Sequence, residues 1–179
     1  MLFLDLMKEN KKAIDEILRV NHAGEYGAQI IYNSQIKFSK NSSLKKELKR
    51  ISSEEKVHLE YFEKQILSNR TRPTIMQPLW KLGGTTLGFV SSILGEKYVH
   101  ACTEAIESTI VDHYKKQVEF LKKKQIRGDL KKKIIKFCEE ENEHRLNSTK
   151  KNDDHSGTFL FKLITKNVTK LAIEISKKM

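Results

Sequence analysis

The chain has 179 residues, with eight glycines and two prolines, and its 34 Lys and Arg against 23 Asp and Glu give a formal net charge of +11. This length predicts a single domain over residues 1–179, and the scarcity of helix breakers predicts a mostly helical fold. The charge suits an anionic membrane surface, whereas no DNA- or RNA-reading motif accompanies it, so we expect no nucleic-acid partner.

The N-terminal half begins with a short apolar stretch that contains Asp5 and lacks the long apolar region and cleavage site of a signal peptide. We therefore expect no secretory signal. A first helix is predicted from about residue 10 to 38, and the polar run at 39–43 ends it. A second helix is predicted from about 43 to 68 because apolar residues recur along it at helical spacing.

The C-terminal half follows a proline-bracketed linker at 70–78 and an apolar, glycine-containing segment at 79–95. Helices are then predicted at about 97–124, 129–149 and 158–177, with a break at 125–128 and a polar loop at 150–157. The two cysteines, Cys102 and Cys138, form no CxxC motif, so we expect free, buried thiols.

The apolar segment at 79–95 is the long crossover between the two halves. It carries one charge, Lys81, and in its 17 residues three glycines precede the one at its end, which makes it marginal for spanning a bilayer. A short helix that lies in the membrane interface or closes the bundle fits this composition better.

A carboxylate and histidine pattern occurs twice. In each half a lone glutamate precedes a Glu-x-x-His pair, at a separation of 30 residues in the first half and 34 in the second. The six residues are Glu25, Glu55, His58, Glu107, Glu141 and His144. One such pair alone is typical of a solvated helix face. Residues i and i+3 share a face, however, so two repeated half-sites predict a cage for two iron or manganese ions inside a four-helix bundle.

The positions of the predicted turns support these half-sites. Residue 40 lies halfway between Glu25 and Glu55, inside the first turn, and residue 124 lies halfway between Glu107 and Glu141, beside the second. Residues equidistant from the turn of an antiparallel hairpin lie at the same level. We therefore expect each lone glutamate to face the Glu-x-x-His pair of its own hairpin, and two such hairpins joined by one long crossover are typical of ferritin-like folds.

Several neighbouring residues have two interpretations. Tyr32 and Tyr114 each follow a lone glutamate by seven residues, so they are either core aromatics or hydrogen-bond partners of the site. His22 is either a core histidine or a residue that contacts the ligands. Other carboxylates are expected on the surface or beside the ligands rather than on the metals: Glu54, Glu104, Glu139, Glu140 and Glu143.

Five segments together closely resemble the Coq7 family of demethoxyubiquinone hydroxylases. They are RVNHAGEYGA at 19–28, EEKVH at 54–58, PLW at 78–80 with its glycine-rich continuation, ACT at 101–103 and EENEH at 140–144. The chain departs from the family at Asn21, where Asp is usual, and at Arg145, where a second His is common. Neither position is a predicted ligand.

The resemblance implies a ferritin-like fold and two iron ions per chain, held by the six residues of the repeated pattern. It implies a membrane-associated monooxygenase that uses O2 to hydroxylate the ring of a polyprenylated demethoxyubiquinol in ubiquinone biosynthesis. The expected electron donor is NADH or the quinol itself, and the expected partners are other proteins of that pathway or a second copy. The expected location is the cytoplasmic face of the inner membrane, as a peripheral protein.

Two other functions remain open from the sequence. A ferritin- or rubrerythrin-type ferroxidase or peroxide-scavenging protein would use the same six ligands but needs no lipid-facing segment. A non-enzymatic basic helical scaffold would not explain the repeated ligand spacing. No GxGxxG fingerprint occurs, so we expect no dinucleotide-binding domain.

Overall fold

The computed structural model describes residues 2–152 and 155–178, which form six α-helices and no β-strand. The helices are α1 (Leu2–Phe38), α2 (Ser42–Ser68), α3 (Gln77–Leu94), α4 (Glu96–Lys124), α5 (Gly128–Lys151) and α6 (Ser156–Lys178). The predicted all-α, ferritin-like bundle with a helical crossover and a C-terminal helix is confirmed.

Three predicted boundaries are wrong. The first helix starts at Leu2 rather than near residue 10, because no Gly or Pro interrupts this stretch. The linker ends before Pro78, which lies in the first turn of α3, where a missing N–H costs no helical hydrogen bond. The loop predicted at 150–157 is shorter, since α5 continues to Lys151 and α6 begins at Ser156.

Four helices form two hairpins, α1 with α2 and α4 with α5. In the first turn the side chain of Asn41 caps α2 by accepting hydrogen bonds from the backbone N–H groups of Ser43 and Leu44, at 2.9 and 3.1 Å. In the second turn Gln125 and Arg127 adopt left-handed backbone conformations, with φ of 55° and 46°. The turns thus fall where the spacing of the glutamates predicts them.

The crossover helix α3 lies against α1 at unusually short range. Gly84 and Gly88 are buried in this contact, and a Cβ added at Gly88 would lie 2.5 Å from the carbonyl oxygen of Ile31. Only glycine therefore fits at residue 88 with the two backbones at this distance. The helix ends at Gly95, whose φ of 105° is disfavoured for other residues and turns the chain into α4.

The last helix, α6, packs on α4 and α1. The indole N–H of Trp80 in α3 donates a hydrogen bond to Ser176 Oγ near the end of α6, at 3.2 Å. Near the other end of α6, the Phe161 ring meets that of Tyr98 at a centroid distance of 5.5 Å. Helices α3 and α6 thus cover the α1 and α4 side of the four-helix bundle.

The core has two clusters of buried apolar side chains. The larger includes Leu18, Phe62 and Phe137, and the smaller includes Ala28 and Ile51. Along α1, Glu25 lies between Leu18 of the larger cluster and Ala28 of the smaller one, and along α2 the Glu-x-x-His pair lies between Ile51 and Phe62. The apolar clusters therefore enclose the polar middle of the bundle on both sides.

Both cysteines carry free thiols, as predicted. Cys102 is fully buried on α4, next to Gln35 and Ser91, whereas Cys138 is only half-buried. Burial raises the pKa of the Cys102 thiol to about 12.

Helices α3 and α6 also carry apolar side chains that point away from the bundle, which we name the outer apolar face. It consists of Leu79, Leu82, Phe89, Val90, Ile93 and Leu94 on α3, and Phe159, Leu160, Leu163, Ile164, Val168 and Leu171 on α6. Among the described residues, no helix combines the length and the apolar character needed to cross a membrane.

Candidate metal centre

The six predicted ligands come together in the middle of the bundle, one or two from each helix of the two hairpins. Their donor atoms form two overlapping groups, in each of which all atoms lie within 4.8 Å of one another. One group contains Glu25, Glu55, His58 and Glu141, and the other contains Glu55, Glu107, Glu141 and His144. Each lone glutamate does meet the pair of its own hairpin, as the turn positions predict.

Glu55 and Glu141 belong to both groups, because each carboxylate lies between the two histidines. Oε1 of Glu141 is 2.9 Å from Nδ1 of His58, and its Oε2 is 3.3 Å from Nδ1 of His144. Oε2 of Glu55 is 3.6 Å from Nδ1 of His58, and its Oε1 is 3.2 Å from Nδ1 of His144. The two groups could each hold a cation, with Glu55 and Glu141 available to both and Glu25 and Glu107 to one each.

Four buried carboxylate oxygens at this place accept no hydrogen bond: Oε2 of Glu25, both oxygens of Glu55 and Oε2 of Glu107. The three side chains that carry these oxygens are at most 1% exposed. Burying a carboxylate oxygen that accepts no hydrogen bond costs folding free energy, so such oxygens normally face a hydrogen-bond donor or a metal ion. Oxygen and imidazole donors in this number fit iron or manganese rather than a structural zinc.

The buried charges strongly perturb one another. Burial, with the nearby carboxylates, raises the pKa of Glu25 to about 8. Burial alone would lower the pKa of His144, but its contacts with Glu141 and Glu55 outweigh burial and raise the pKa to about 11. The pKa of His58 is raised in the same way. Burial thus favours the protonated form of Glu25, and the surrounding carboxylates favour the protonated forms of the two histidines.

The two tyrosines hydrogen-bond the lone glutamates, each across to the other hairpin. The Tyr32 hydroxyl of α1 donates to Oε1 of Glu107 on α4 at 2.6 Å, and the Tyr114 hydroxyl of α4 donates to Oε1 of Glu25 on α1. Both tyrosines are 1% exposed. Both interpretations from the sequence hold, because each tyrosine belongs to a buried core cluster and also donates a hydrogen bond to a lone glutamate of the opposite hairpin.

The outward ring nitrogens of the two histidines also have partners. Nε2 of His144 lies 2.8 Å from Oε2 of Glu54, and Nε2 of His58 lies 2.9 Å from Oε2 of Glu140. The Phe137 ring packs on His58 at a centroid distance of 4.0 Å. Glu54 and Glu140 thus lie beside the ligands, as one of the sequence interpretations has it.

Other candidates lie outside the two donor groups. His22 is buried and stacks on Tyr26, with ring centroids 6.5 Å apart. Asn21, where the chain departs from the Coq7 pattern, exchanges two hydrogen bonds with the amide of Gln117, at 2.9 and 2.7 Å. No sequence pattern predicts this pair, although it lies one turn from the contact between Glu25 and Tyr114 on the same two helices.

Comparisons with known proteins match the sequence region that carries these six residues. A family profile described as "Ubiquinone biosynthesis protein COQ7" matches residues 12–176. A protein of Bos taurus named "NADPH-dependent 3-demethoxyubiquinone 3-hydroxylase, mitochondrial" is 38% identical over 137 residues, which cover 75% of this chain and 63% of the relative. A Rhodospirillum rubrum protein named "3-demethoxyubiquinol 3-hydroxylase" is 42% identical over 133 residues, which cover 74% of this chain and 62% of the relative.

A Legionella pneumophila protein with the same name as the R. rubrum relative is 26% identical over 171 residues, which cover 96% of this chain and 79% of that protein. The matches with the B. taurus and R. rubrum proteins span less than two thirds of the length of those relatives.

Proposed function

Because this chain belongs to the COQ7 family of ubiquinone biosynthesis proteins, we propose that it is a 3-demethoxyubiquinol 3-hydroxylase. The reaction would place one oxygen atom of O2 on the ring of a polyprenylated methoxy-methyl-benzoquinol and release the other as water, at the expense of two electrons. The observation that carries the proposal is the buried set of six oxygen and imidazole side chains within the matched region.

The proposed cofactor is two iron ions per chain. Glu25, Glu55, His58 and Glu141 would hold one ion, and Glu55, Glu107, Glu141 and His144 would hold the other. Bound iron would supply the activation of O2 that ring hydroxylation requires. The four carboxylates of the set match the charge of two divalent cations, which supports a pair over a single ion.

The protein side chains have their own tasks in this proposal. The Tyr32 and Tyr114 hydroxyls hold Glu107 and Glu25 by hydrogen bonds, so these two carboxylates keep their direction toward the metals. The ring of Phe137 covers His58 and keeps water from this side of the centre. The six proposed ligands are at most 3% exposed, so the bundle limits the access of bulk water to the centre.

The outer apolar face is the proposed contact with the membrane and with the lipid tail of the substrate. The exposed Leu, Ile, Val and Phe side chains of α3 and α6 would lie in the lipid interface, and the net charge of +11 favours an anionic surface. We place the protein peripherally on the cytoplasmic face of the membrane. A ferroxidase or peroxide-scavenging protein acts on small soluble substrates and would not need an exposed apolar face. The names of the relatives also favour the hydroxylase.

The proposed electron donor is a reduced nicotinamide. The family resemblance suggests NADH or the quinol itself, whereas the name of the B. taurus relative specifies NADPH dependence. Parallel assays with the two nicotinamides and with chemically reduced quinol would distinguish these donors.

Single-turnover hydroxylation tests the function. Protein reconstituted anaerobically with Fe(II) should bind about two ions per chain, and addition of demethoxyubiquinol and 18O2 should give a product heavier by one labelled oxygen. Glu55→Gln should lose iron and product together, whereas Glu60→Gln, on the exposed side of the same helix, should retain both. Fewer than one iron per chain, or consumption of peroxide without a hydroxylated quinone, would contradict the proposal.

A further inference from the structure

Each Glu-x-x-His pair is preceded by one more glutamate, so the chain carries the motif Glu-Glu-x-x-His twice. The second glutamate of each motif faces the centre, and the first, Glu54 or Glu140, lies at its outer edge. Glu54 on α2 contacts His144 on α5, and Glu140 on α5 contacts His58 on α2, at 2.8 and 2.9 Å. The two contacts are symmetric, and both cross between the hairpins.

The ring nitrogens of each histidine have different surroundings. Nδ1 faces the inner carboxylates Glu55 and Glu141, and Nε2 faces the outer carboxylate. A neutral imidazole carries a proton on only one nitrogen. A carboxylate at Nε2 keeps the proton there and leaves the lone pair of Nδ1 for a metal ion.

A cation one helical turn earlier orients each outer carboxylate. The Arg50 guanidinium lies 2.8 Å from both oxygens of Glu54, and Nζ of Lys136 lies 3.4 Å from Oε1 of Glu140. Surface ion pairs of this kind contribute little stability by themselves. Here they limit the rotation of carboxylates whose other contacts are nearly fully buried histidines.

We propose that Glu54 and Glu140 are positioning residues, each of which fixes the metal-binding histidine of the opposite hairpin in the tautomer and direction that ligation needs. This inference rests on the metal centre proposed above. The contacts of Glu54 and Glu140 also connect the two hairpins. The extensive contacts between neighbouring helices within the hairpins lie between α1 and α2 and between α4 and α5. The outer pairs join α2 to α5 through side chains at the centre.

Titration with Co(II) alone tests the proposal without any assay of activity. Glu54→Ala and Glu140→Ala should each weaken Co(II) binding by about 10- to 100-fold. The corresponding Gln variants retain an oxygen that accepts the Nε2–H bond, so they should lie closer to the unmutated protein. Glu60→Ala and Glu139→Ala, at exposed positions of the same helices, are the matched controls and should stay within about twofold of it.

NMR of the Co(II)-loaded protein provides a second measurement, specific to the tautomer. Two paramagnetically shifted, exchangeable ring N–H signals are expected, one from each histidine, and Glu54→Ala should remove one whereas Glu140→Ala removes the other. Affinities equal to those of the controls, or loss of the same signal in both variants, would overturn the inference. An unmutated protein that binds no Co(II) would instead overturn the metal centre itself.

Discussion

The contact between α1 and α3 predicts opposite effects for two glycine substitutions on the same helix. At Gly88 an added methyl group would lie 2.5 Å from the Ile31 carbonyl oxygen and 2.7 Å from Cβ of Ser34, well inside normal contact distance. At Gly83 it would meet nothing within 4 Å. The pair therefore separates the effect of packing from that of helix propensity.

The magnitudes follow from these two terms. Overpacking costs about 1–3 kcal/mol, and the upper end applies at Gly88 because a backbone oxygen cannot rotate away. Replacing Gly by Ala inside a helix gains about 1 kcal/mol. Gly88→Ala should therefore destabilise the fold by about 2 kcal/mol, and Gly83→Ala should stabilise it by up to about 1 kcal/mol. For a chain of this size these changes correspond to about 4–8 °C downward and 2–4 °C upward in Tm.

Urea and thermal unfolding of the metal-free protein, followed by far-UV circular dichroism, measures both variants against the unmutated chain. Gly84→Ala, whose methyl group would lie 3.1 Å from a side-chain carbon of Ile30, should fall between them. If Gly88→Ala stabilised the protein as much as Gly83→Ala does, the close packing of α3 on α1 would be refuted.

Three further outcomes are expected. Tyr32→Phe leaves a buried oxygen of Glu107 without its donor, so urea unfolding should show a loss of about 1–3 kcal/mol, and an unchanged free energy of unfolding would contradict the contact. Metal affinity should rise with pH from 6 upward and continue to rise above 8, because Glu25, with a pKa of about 8, and His144, with a pKa of about 11, must each lose a proton when the metal binds. Calorimetry in buffers of different ionisation enthalpy should detect this proton release, and its absence would refute the prediction. Leu163→Asp on the outer apolar face should reduce cosedimentation with anionic lipid vesicles about tenfold. Leu146→Asp, at a similarly exposed position of α5, should leave cosedimentation unchanged. Equal losses of cosedimentation in the two variants would argue against the proposed membrane contact.

The sequence predicts the parts of the centre that depend on one helix or one hairpin. The spacing of Glu55 and His58 places both on one helix face, and the turn between the glutamates of each hairpin sets their common level. These features follow from helix geometry alone, so they are visible in the residue numbers.

Contacts between the hairpins are not visible in the same way. The seven-residue spacing places Tyr32 on the same side of α1 as Glu25, but it does not say which neighbouring helix its hydroxyl reaches. That depends on the register of α1 against α4, which the packing of apolar side chains determines. The reciprocal bonds of Asn21 with Gln117 and the crossed reach of Glu54 to His144 depend on such registers too.

The burial of Cys102 has a chemical consequence for a protein proposed to handle O2. Peroxides attack the thiolate rather than the thiol, and a pKa of about 12 leaves only about one molecule in 100,000 as thiolate at pH 7. An ordinary exposed cysteine is ionised at that pH to a few per cent. The Cys102 thiol is thus protected from oxidative damage by its protonation state as well as by its burial.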